Sequence, residues 1–339
     1  MSDGMTVPDD VRLHARSLAA QGRYRDAIAI GQRAIGNSFD PQLERELIEW
    51  RHSAFYEPVD RQPRQVWPPS ASDPRPDLID RIPEISASEL NVDMLAGALL
   101  HHGSLIVRGL LSSQLAETLR ADVDRAYDAR AKRAQDAHQS WYVPFVPKDD
   151  PGLPLSRGFA GDTSMLMADS PRIFARWASV LHTCGVFDTV SGYLGEQPVV
   201  SAHKTRMYRV PANAGSQWHQ DGAFLGGEKT RTVNLWVALT PCGEEAPGLE
   251  IVPWRLNEIV PPGTHGSFFT WSVGEAKVAE MAAGRPMANP RFAAGDAMLF
   301  DHLCLHRTGV RPGMTRGRYA LETWMFAPST YPDKAALVL

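Results

Sequence analysis

The chain has 339 residues, 43% hydrophobic and 22% charged, with 35 Lys and Arg against 39 Asp and Glu and a net charge of −4. That composition suits a soluble globular protein with a sizeable core, and its evenly mixed, weakly acidic charge offers no basic field for a phosphate backbone, which argues against nucleic acid as a partner. The opening MSDGMTVPDD is polar and acidic rather than basic then apolar and is not expected to act as a leader, no run approaches the roughly 18 apolar residues of a membrane span, and Cys184, Cys242 and Cys304 lack the spacing of a disulfide framework or a thiolate zinc site. A cytoplasmic protein is expected.

Residues 8–55 place apolar side chains at three and four spacing, first in RLHARSLAAQGRYRDAIAIGQRAI, broken at Gly22, then in PQLERELIEWRHSAF, and so predict helices. Ala15, Leu18, Gly22, Tyr24, Ala27, Ala34 and Pro41 resemble the small/large alternation of one tetratricopeptide repeat. Such arrays need about three repeats to bury a continuous core. Residues 1–56 are therefore expected to form a helical hairpin docked on the main domain, with recruitment of a protein partner as the alternative. Seven prolines from Pro58 to Pro83 exclude a continuous helix or a central strand and make 57–82 a linker.

Residues 83–339 form the expected main domain. IPEIS reads as a strand, ASELNVDMLAGALLHHG as an amphipathic helix, SLIVRGLL as a second strand, and the run after Ser112 or Ser113 as a long capped helix. Residues 139–166, aperiodic and rich in proline and aromatics, suit a lid, which makes Trp141, Tyr142, Phe145 and Arg157 candidate substrate contacts beside the plainer reading of a covering loop. From about 196 to 330, short β-branched or aromatic runs alternate with Gly and Pro turns, the pattern of an antiparallel barrel or jelly roll.

Within that core, QWHQDGAF holds His219 and Asp221 two positions apart. With 11 histidines in the chain, about one His-x-Asp pair arises by chance, so the pair needs company. GDAMLFDHLCLHRTG supplies it: on a continuous strand His302, Cys304 and His306 would share one face. Two histidines and a carboxylate make the facial triad of non-haem iron oxygenases, with positions left open for a chelating cosubstrate and O₂. Arg318 follows twelve residues after His306, and its guanidinium fork suits a carboxylate.

In order, WHQD, TVNLWVAL, APGLEIVP, GDAMLFDHLCLHRTG and the following arginine resemble the phytanoyl-CoA dioxygenase family of Fe(II)- and 2-oxoglutarate-dependent oxygenases, and GSLIVRGLLSSQLAETLRADVDRA is similar to that family's first strand and helix. The likeness covers roughly residues 83–330. It implies a mainly β fold with flanking helices, a double-stranded β-helix (jelly-roll, cupin-like) core, and Fe(II), 2-oxoglutarate and O₂ as reactants. It also implies His219, Asp221 and His306 as iron ligands, Arg318 on the distal carboxylate of 2-oxoglutarate with Thr308 assisting, and Trp236 lining the cosubstrate pocket. Lys204, Arg206 and Tyr208 in HKTRMYRVP stand where relatives hold 2-oxoglutarate with polar residues. His302 is expected to pack nearby without ligating.

The activity implied is hydroxylation of a C–H bond in a small metabolite or natural-product intermediate, with release of succinate and CO₂. Desaturation, cyclisation or epimerisation, and a peptide or carrier-bound substrate, are the alternatives; a non-catalytic cupin-like scaffold is the alternative of another class. Asp221 occupies the place where halogenating relatives carry a small residue. EEAPG followed by Glu250 departs from the family's usual turn and leaves the substrate pocket open.

Overall fold

Apolar periodicity and good caps build the amino-terminal helices α1 (Asp9–Ala20), α2 (Tyr24–Ile35) and α3 (Pro41–Phe55). Asp40 caps α3, its Oδ1 accepting from the Leu43 amide at 3.0 Å, and Pro41 occupies the first turn, where its missing N–H costs nothing. The structure, a computed structural model, describes residues 7–36, 38, 40–57, 66–132, 140–148, 150–153, 155, 157, 161–227, 229–263, 266–332 and 335–339. The segment 58–65 of the expected linker thus lies outside the described residues.

The chain continues through β1 (Glu84–Ser86), α4 (Val92–His102), β2 (Ser104–Arg108), α5 (Ser113–Ala131), β3 (Ser164–Leu166), α6 (Pro171–Thr183) and α7 (Val186–Leu194). Then come β4 (Val199–Ser201), β5 (Arg206–Val210), β6 (Trp218–His219), β7 (Thr232–Ala238), β8 (Gly248–Ile251), β9 (Ser272–Val273), α8 (Glu275–Ala282), β10 (Ala297–Phe300), β11 (His306–Gly309), β12 (Arg318–Phe326) and β13 (Ala336–Val338). Ser112 caps α5 as expected, accepting from the Leu115 amide at 3.2 Å.

Among the described residues these strands form two sheets, the arrangement of a cupin-like jelly roll. The larger runs β1-β2-β10-β7-β12-β4-β13, with β5 pairing β12 and β3 pairing β5; the smaller runs β8-β11-β6-β9. Alternation along the central strands divides the interior in two. Val233, Leu235 and Val237 of β7, Leu299 of β10 and Leu321 of β12 pack against helices α4 to α7. Trp236 and Ala238 of β7, Met298 and Phe300 of β10 and Ala320 of β12 face the other sheet, where they meet Leu249, Ile251 and Phe292. Strands buried on both sides read as unbroken apolar runs, which is how TVNLWVAL looks in sequence.

One expectation fails here. His302, Cys304 and His306 do not share a strand face, because β10 ends at Phe300 and β11 begins at His306. Asp301 ends the strand: its Oδ1 accepts from the Leu303 amide at 3.0 Å and its carbonyl from the Cys304 amide at 3.2 Å, a side-chain-stabilised turn that competes with sheet pairing.

Helices α1 and α2 form a hairpin around Ala15 and Ala27, both fully buried, and α3 lies against the larger sheet. Buried Arg51 of α3 donates to the Val338 carbonyl of β13 and to Gln32 Oε1, each at 2.7 Å. Glu44, also buried, accepts from Ser140 and pairs with Arg172 of α6. Leu47, 1% exposed, belongs to the same apolar cluster as Trp324, Phe326 and Val338. Leu47→Ala should therefore cost about 2–5 kcal/mol, while Leu13→Ala, at a side chain 63% exposed, should change stability by no more than about 0.5 kcal/mol. Chemical denaturation of the two variants checks this; equal midpoints would show that the α3 face contributes nothing to the fold.

Candidate active site between the two sheets

A cleft of roughly 1000 Å³, its open mouth included, lies between the sheets. Strands β5, β7 and β12 contribute Arg206, Tyr208, Trp236, Arg318, Glu322 and Trp324 to one side; β6, β8 and β11 contribute His219, Leu249, His306 and Thr308 to the other. Asp221, Lys204, Phe224 and Trp271 complete the end near His219.

His306 and His219 are direct cross-strand partners in the β11–β6 ladder, so their rings face each other with centroids 4.4 Å apart. A short 3₁₀ turn, Asp221–Ala223, then swings the carboxylate back toward both rings. His219 Nε2 is 3.7 Å from Asp221 Oδ1 and His306 Nε2 is 4.0 Å from Asp221 Oδ2. Each imidazole is turned by its Nδ1: His219 to the Gln217 carbonyl at 2.8 Å, His306 to the Cys304 carbonyl at 3.1 Å. With Nδ1–H donating to backbone, each Nε2 presents a lone pair to the centre, the arrangement metal-binding histidines adopt. One ligand atom from each of the three residues falls within 4.8 Å of the others.

Burial lowers the proton affinity of both imidazoles, that of His306 to a pKa of about 3 with His219 adding to the effect. Burial, then the nearby Glu322 charge, pushes the Asp221 carboxyl well above the usual carboxylate range. Asp221 Oδ2 has no hydrogen-bond partner among the described residues. A buried acceptor left unmatched is costly, and a cation between the three donors would satisfy it, so these residues fit a divalent metal.

Arg318, 2% exposed, lies at the other end of the cleft. Its Nη1 donates to the Pro247 and Gly248 carbonyls at 3.3 and 3.0 Å, its Nη2 to Thr308 Oγ1 at 3.4 Å, and its guanidinium carbon stands 5.3 Å from the Trp236 ring centroid. No carboxylate pairs with it among the described residues, and burial lowers its pKa. A guanidinium so placed could take a dicarboxylate's far end. Arg206 donates to Ser164 Oγ at 3.0 Å, Tyr208 donates to Glu322 Oε2 at 2.6 Å, and Lys204 Nζ lies 4.6 Å from the centroid of Phe224.

Several expectations change. Trp141, Tyr142, Phe145 and Arg157 do not line the cleft. Phe145 is buried in the helical core with Trp141 and Tyr142 packed beside it, and Arg157 pairs with Asp169 through two 2.8 Å bonds. The described part of 139–166 is thus stitched down as a covering loop; residues 139, 149, 154, 156 and 158–160 lie outside the description. Glu250 turns out of the cleft to Arg307, at 2.6 Å. His302 packs its Cδ2 2.9 Å from where a Cβ on Gly222 would sit, and its carbonyl accepts from the Gly222 amide at 2.8 Å, so it braces the turn that carries Asp221.

Glu322 and Asn234 went unnoticed in the sequence. Glu322 accepts from both Tyr208 and Asn234 Nδ2, the latter at 2.8 Å. Period-two reading from Arg318 along RYALETW puts Glu322 and Trp324 on the same inward face, and that signal would have found both.

His306→Ala should abolish tight divalent-metal binding in a folded protein, whereas His302→Ala should retain it with an affinity lowered by about tenfold, in the range seen when a supporting residue is lost; metal titration of both variants decides. Asp221→Asn should raise the melting temperature of chelator-treated protein at pH 7 to 8, because a carboxyl whose folded pKa lies above its unfolded value of about 3.9 destabilises the fold progressively as pH rises past that value. The same variant should lose the stabilisation that added metal gives the parent, and an unaltered metal-induced shift would remove Asp221 from the donor set.

Three comparisons bear on this geometry. The family model for phytanoyl-CoA dioxygenase (PhyH) matches residues 99–311. Solved structures similar to the chain include the non-haem α-ketoglutarate-dependent carbocyclase SnoK from nogalamycin biosynthesis, 14% identical over 72% of this chain and 86% of that one with a TM-score of 0.49. The epimerase SnoN is 16% identical over 69% and 83%, with a TM-score of 0.47. EctD from S. alaskensis, determined with 2-oxoglutarate and 5-hydroxyectoine, is 20% identical over 69% and 75%, with a TM-score of 0.48. These structural likenesses carry no argument about the reaction, and no curated protein sequence matches. The family match spans more than half of the chain, and with it the protein belongs to the phytanoyl-CoA dioxygenase family, enzymes that use Fe(II), 2-oxoglutarate and O₂.

Proposed function

We propose that this oxygenase hydroxylates a C–H bond of a small metabolite or natural-product intermediate, releasing succinate and CO₂. His219, Asp221 and His306 hold the metal and Arg318 receives the distal carboxylate of 2-oxoglutarate. The observation that carries the reading is the pairing, in one cleft, of a two-histidine, one-carboxylate donor set, with Asp221 and His306 buried and His219 half-buried, with a buried arginine that has no carboxylate partner among the described residues. A non-catalytic scaffold has no use for either. Bound there, Fe(II) with 2-oxoglutarate and O₂ supplies the oxidation of an unactivated C–H bond.

The chain's own residues do the rest. Backbone carbonyls at Gln217 and Cys304 fix both imidazoles in the Nε2-ligating orientation. Two backbone carbonyls and Thr308 hold the Arg318 fork, and Trp236 closes one side of it. Tyr208 approaches this end, since its strand partner Ala320 is two residues from Arg318. Asp221 keeps its carboxylate at the centre, so the donor set leaves no place for a halide in the manner of relatives with a small residue there.

Arg318→Lys should keep the metal but weaken 2-oxoglutarate by about tenfold or more, because a point charge cannot reproduce a bidentate, charge-assisted pair worth roughly 1.5–3 kcal/mol. Anaerobic titration of the Fe(II) protein with 2-oxoglutarate measures this. The parent should also turn 2-oxoglutarate slowly into succinate without any other substrate; absence of both binding and turnover would overturn the assignment.

A further inference from the structure

The cleft-facing side of β12 carries Arg318, Ala320, Glu322 and Trp324 in turn. An acid is unexpected in this row. The neighbours of Glu322 in the strand, Leu321 and Thr323, are fully buried on the opposite face, and its direct partners across the ladders are Trp236 on β7 and Arg206 on β5. Glu322 itself is half-buried and lines the cleft.

Neutral groups hold both of its oxygens. The Tyr208 hydroxyl donates to Oε2 at 2.6 Å and Asn234 Nδ2 donates to Oε1 at 2.8 Å. Burial, then the Glu322 charge, pushes the Tyr208 hydroxyl well above its ordinary range, so it stays a donor. Asn234 is fully buried within β7, which fixes it in place. Arg206 turns its Nη1 to Ser164 Oγ at 3.0 Å, and no Lys, Arg or His forms an ion pair with Glu322 among the described residues.

The position of this carboxylate separates it from the end proposed for 2-oxoglutarate's distal group. Four residues along an extended strand span about 13 Å, so Glu322 stands well past Arg318, and its charge acts on both His219 and Asp221. It belongs to the donor end of the cleft. Each carboxylate oxygen offers two acceptor positions, so one on each remains after Tyr208 and Asn234 are served. A half-buried carboxylate met only by neutral donors is poorly compensated. A cationic nitrogen there would form charge-assisted bonds roughly twice as strong as neutral ones.

We infer that Glu322 anchors the substrate, and that the substrate is a small molecule bearing a cationic nitrogen group, an ammonium, amidinium or guanidinium, bound to the remaining acceptor positions of this carboxylate. The inference rests on the proposed oxygenase reading and deepens it. Because Tyr208 and Asn234 already orient the carboxylate, little side-chain freedom is lost when the cation arrives. The anchored nitrogen then sets which C–H bond of the molecule lies toward His219 and Asp221.

Two probes of the same shape test this: benzamidine, which is cationic, and benzamide, which is neutral. Each is titrated anaerobically into the protein loaded with Fe(II) and 2-oxoglutarate, and followed by calorimetry. Benzamidine should bind about tenfold or more tighter than benzamide. At matched intensity of the 2-oxoglutarate charge-transfer band, Glu322→Gln should bring the two affinities to within about twofold of each other, by weakening benzamidine alone. Should that variant fail to load, Glu322→Asp keeps the charge but shortens its reach, and should weaken benzamidine while leaving benzamide unchanged. A normal band in the parent without a preference for benzamidine, or a preference untouched by these substitutions, overturns this inference alone. Absence of the band in the parent overturns the oxygenase reading, and this inference with it.

Discussion

Asp221 and Arg318 occupy one cleft, each 2% exposed and neither in contact with a formal charge of opposite sign among the described residues. Burying one charge without a partner costs several kcal/mol even after relaxation, so a fold that buries two is held there by other means. The larger apolar clusters on both sides of the main sheet provide them. The two uncompensated charges have opposite signs, and the proposed metal and dicarboxylate would answer them head to tail. Ligands that bind only the folded state stabilise it by mass action, so on the proposed reading metal and cosubstrate would offset that cost.

That template depends on register. His306 and His219 pair directly across β11 and β6, and β6 is only two residues long. A slip of one residue would turn the two imidazoles to the other face. Gln220, between His219 and Asp221 in sequence and 1% exposed, holds the register from behind. Its Nε2 donates to the Leu303 and Glu258 carbonyls at 2.7 and 3.0 Å, and its Oε1 accepts from the Val260 amide at 2.7 Å. One satisfied amide thus ties three loops together, and Gly222 lets the His302 backbone come close enough to brace the following turn.

Much of this was legible in the sequence because it is periodic or chemically rare. Alternating runs predict the strands, apolar spacing predicts α3, a serine cap predicts α5, and the intervals separating His219, Asp221, His306, Thr308 and Arg318 match residues that the structure gathers into one cleft. What escaped was set by tertiary context. Asp301 breaks a run that looks continuous, because a local side-chain turn outcompetes the ladder. Trp141 and Phe145 sit in a segment without periodicity that nevertheless packs into the core, where Asp169 anchors it. Glu322 is a lone acid in an apolar strand, and its two donors lie on β5 and β7, far from it in sequence.

Phe224, Trp271 and the candidate metal donors share their supports, which constrains how the cleft can vary. Trp271 precedes Ser272, the strand partner of His219, and Phe224 directly follows the 3₁₀ turn that presents Asp221. A substitution that moves either ring also pulls on His219 or Asp221. Phe269 shares that burden, since its amide donates to Ser272 Oγ at 3.0 Å and its carbonyl accepts from the Ser272 amide at 3.1 Å, whereas exposed Phe268 meets Phe269 edge-on. Variation at Phe268 therefore leaves the His219 pairing undisturbed, whereas Phe224, Phe269 and Trp271 are tied to the elements that carry His219 and Asp221.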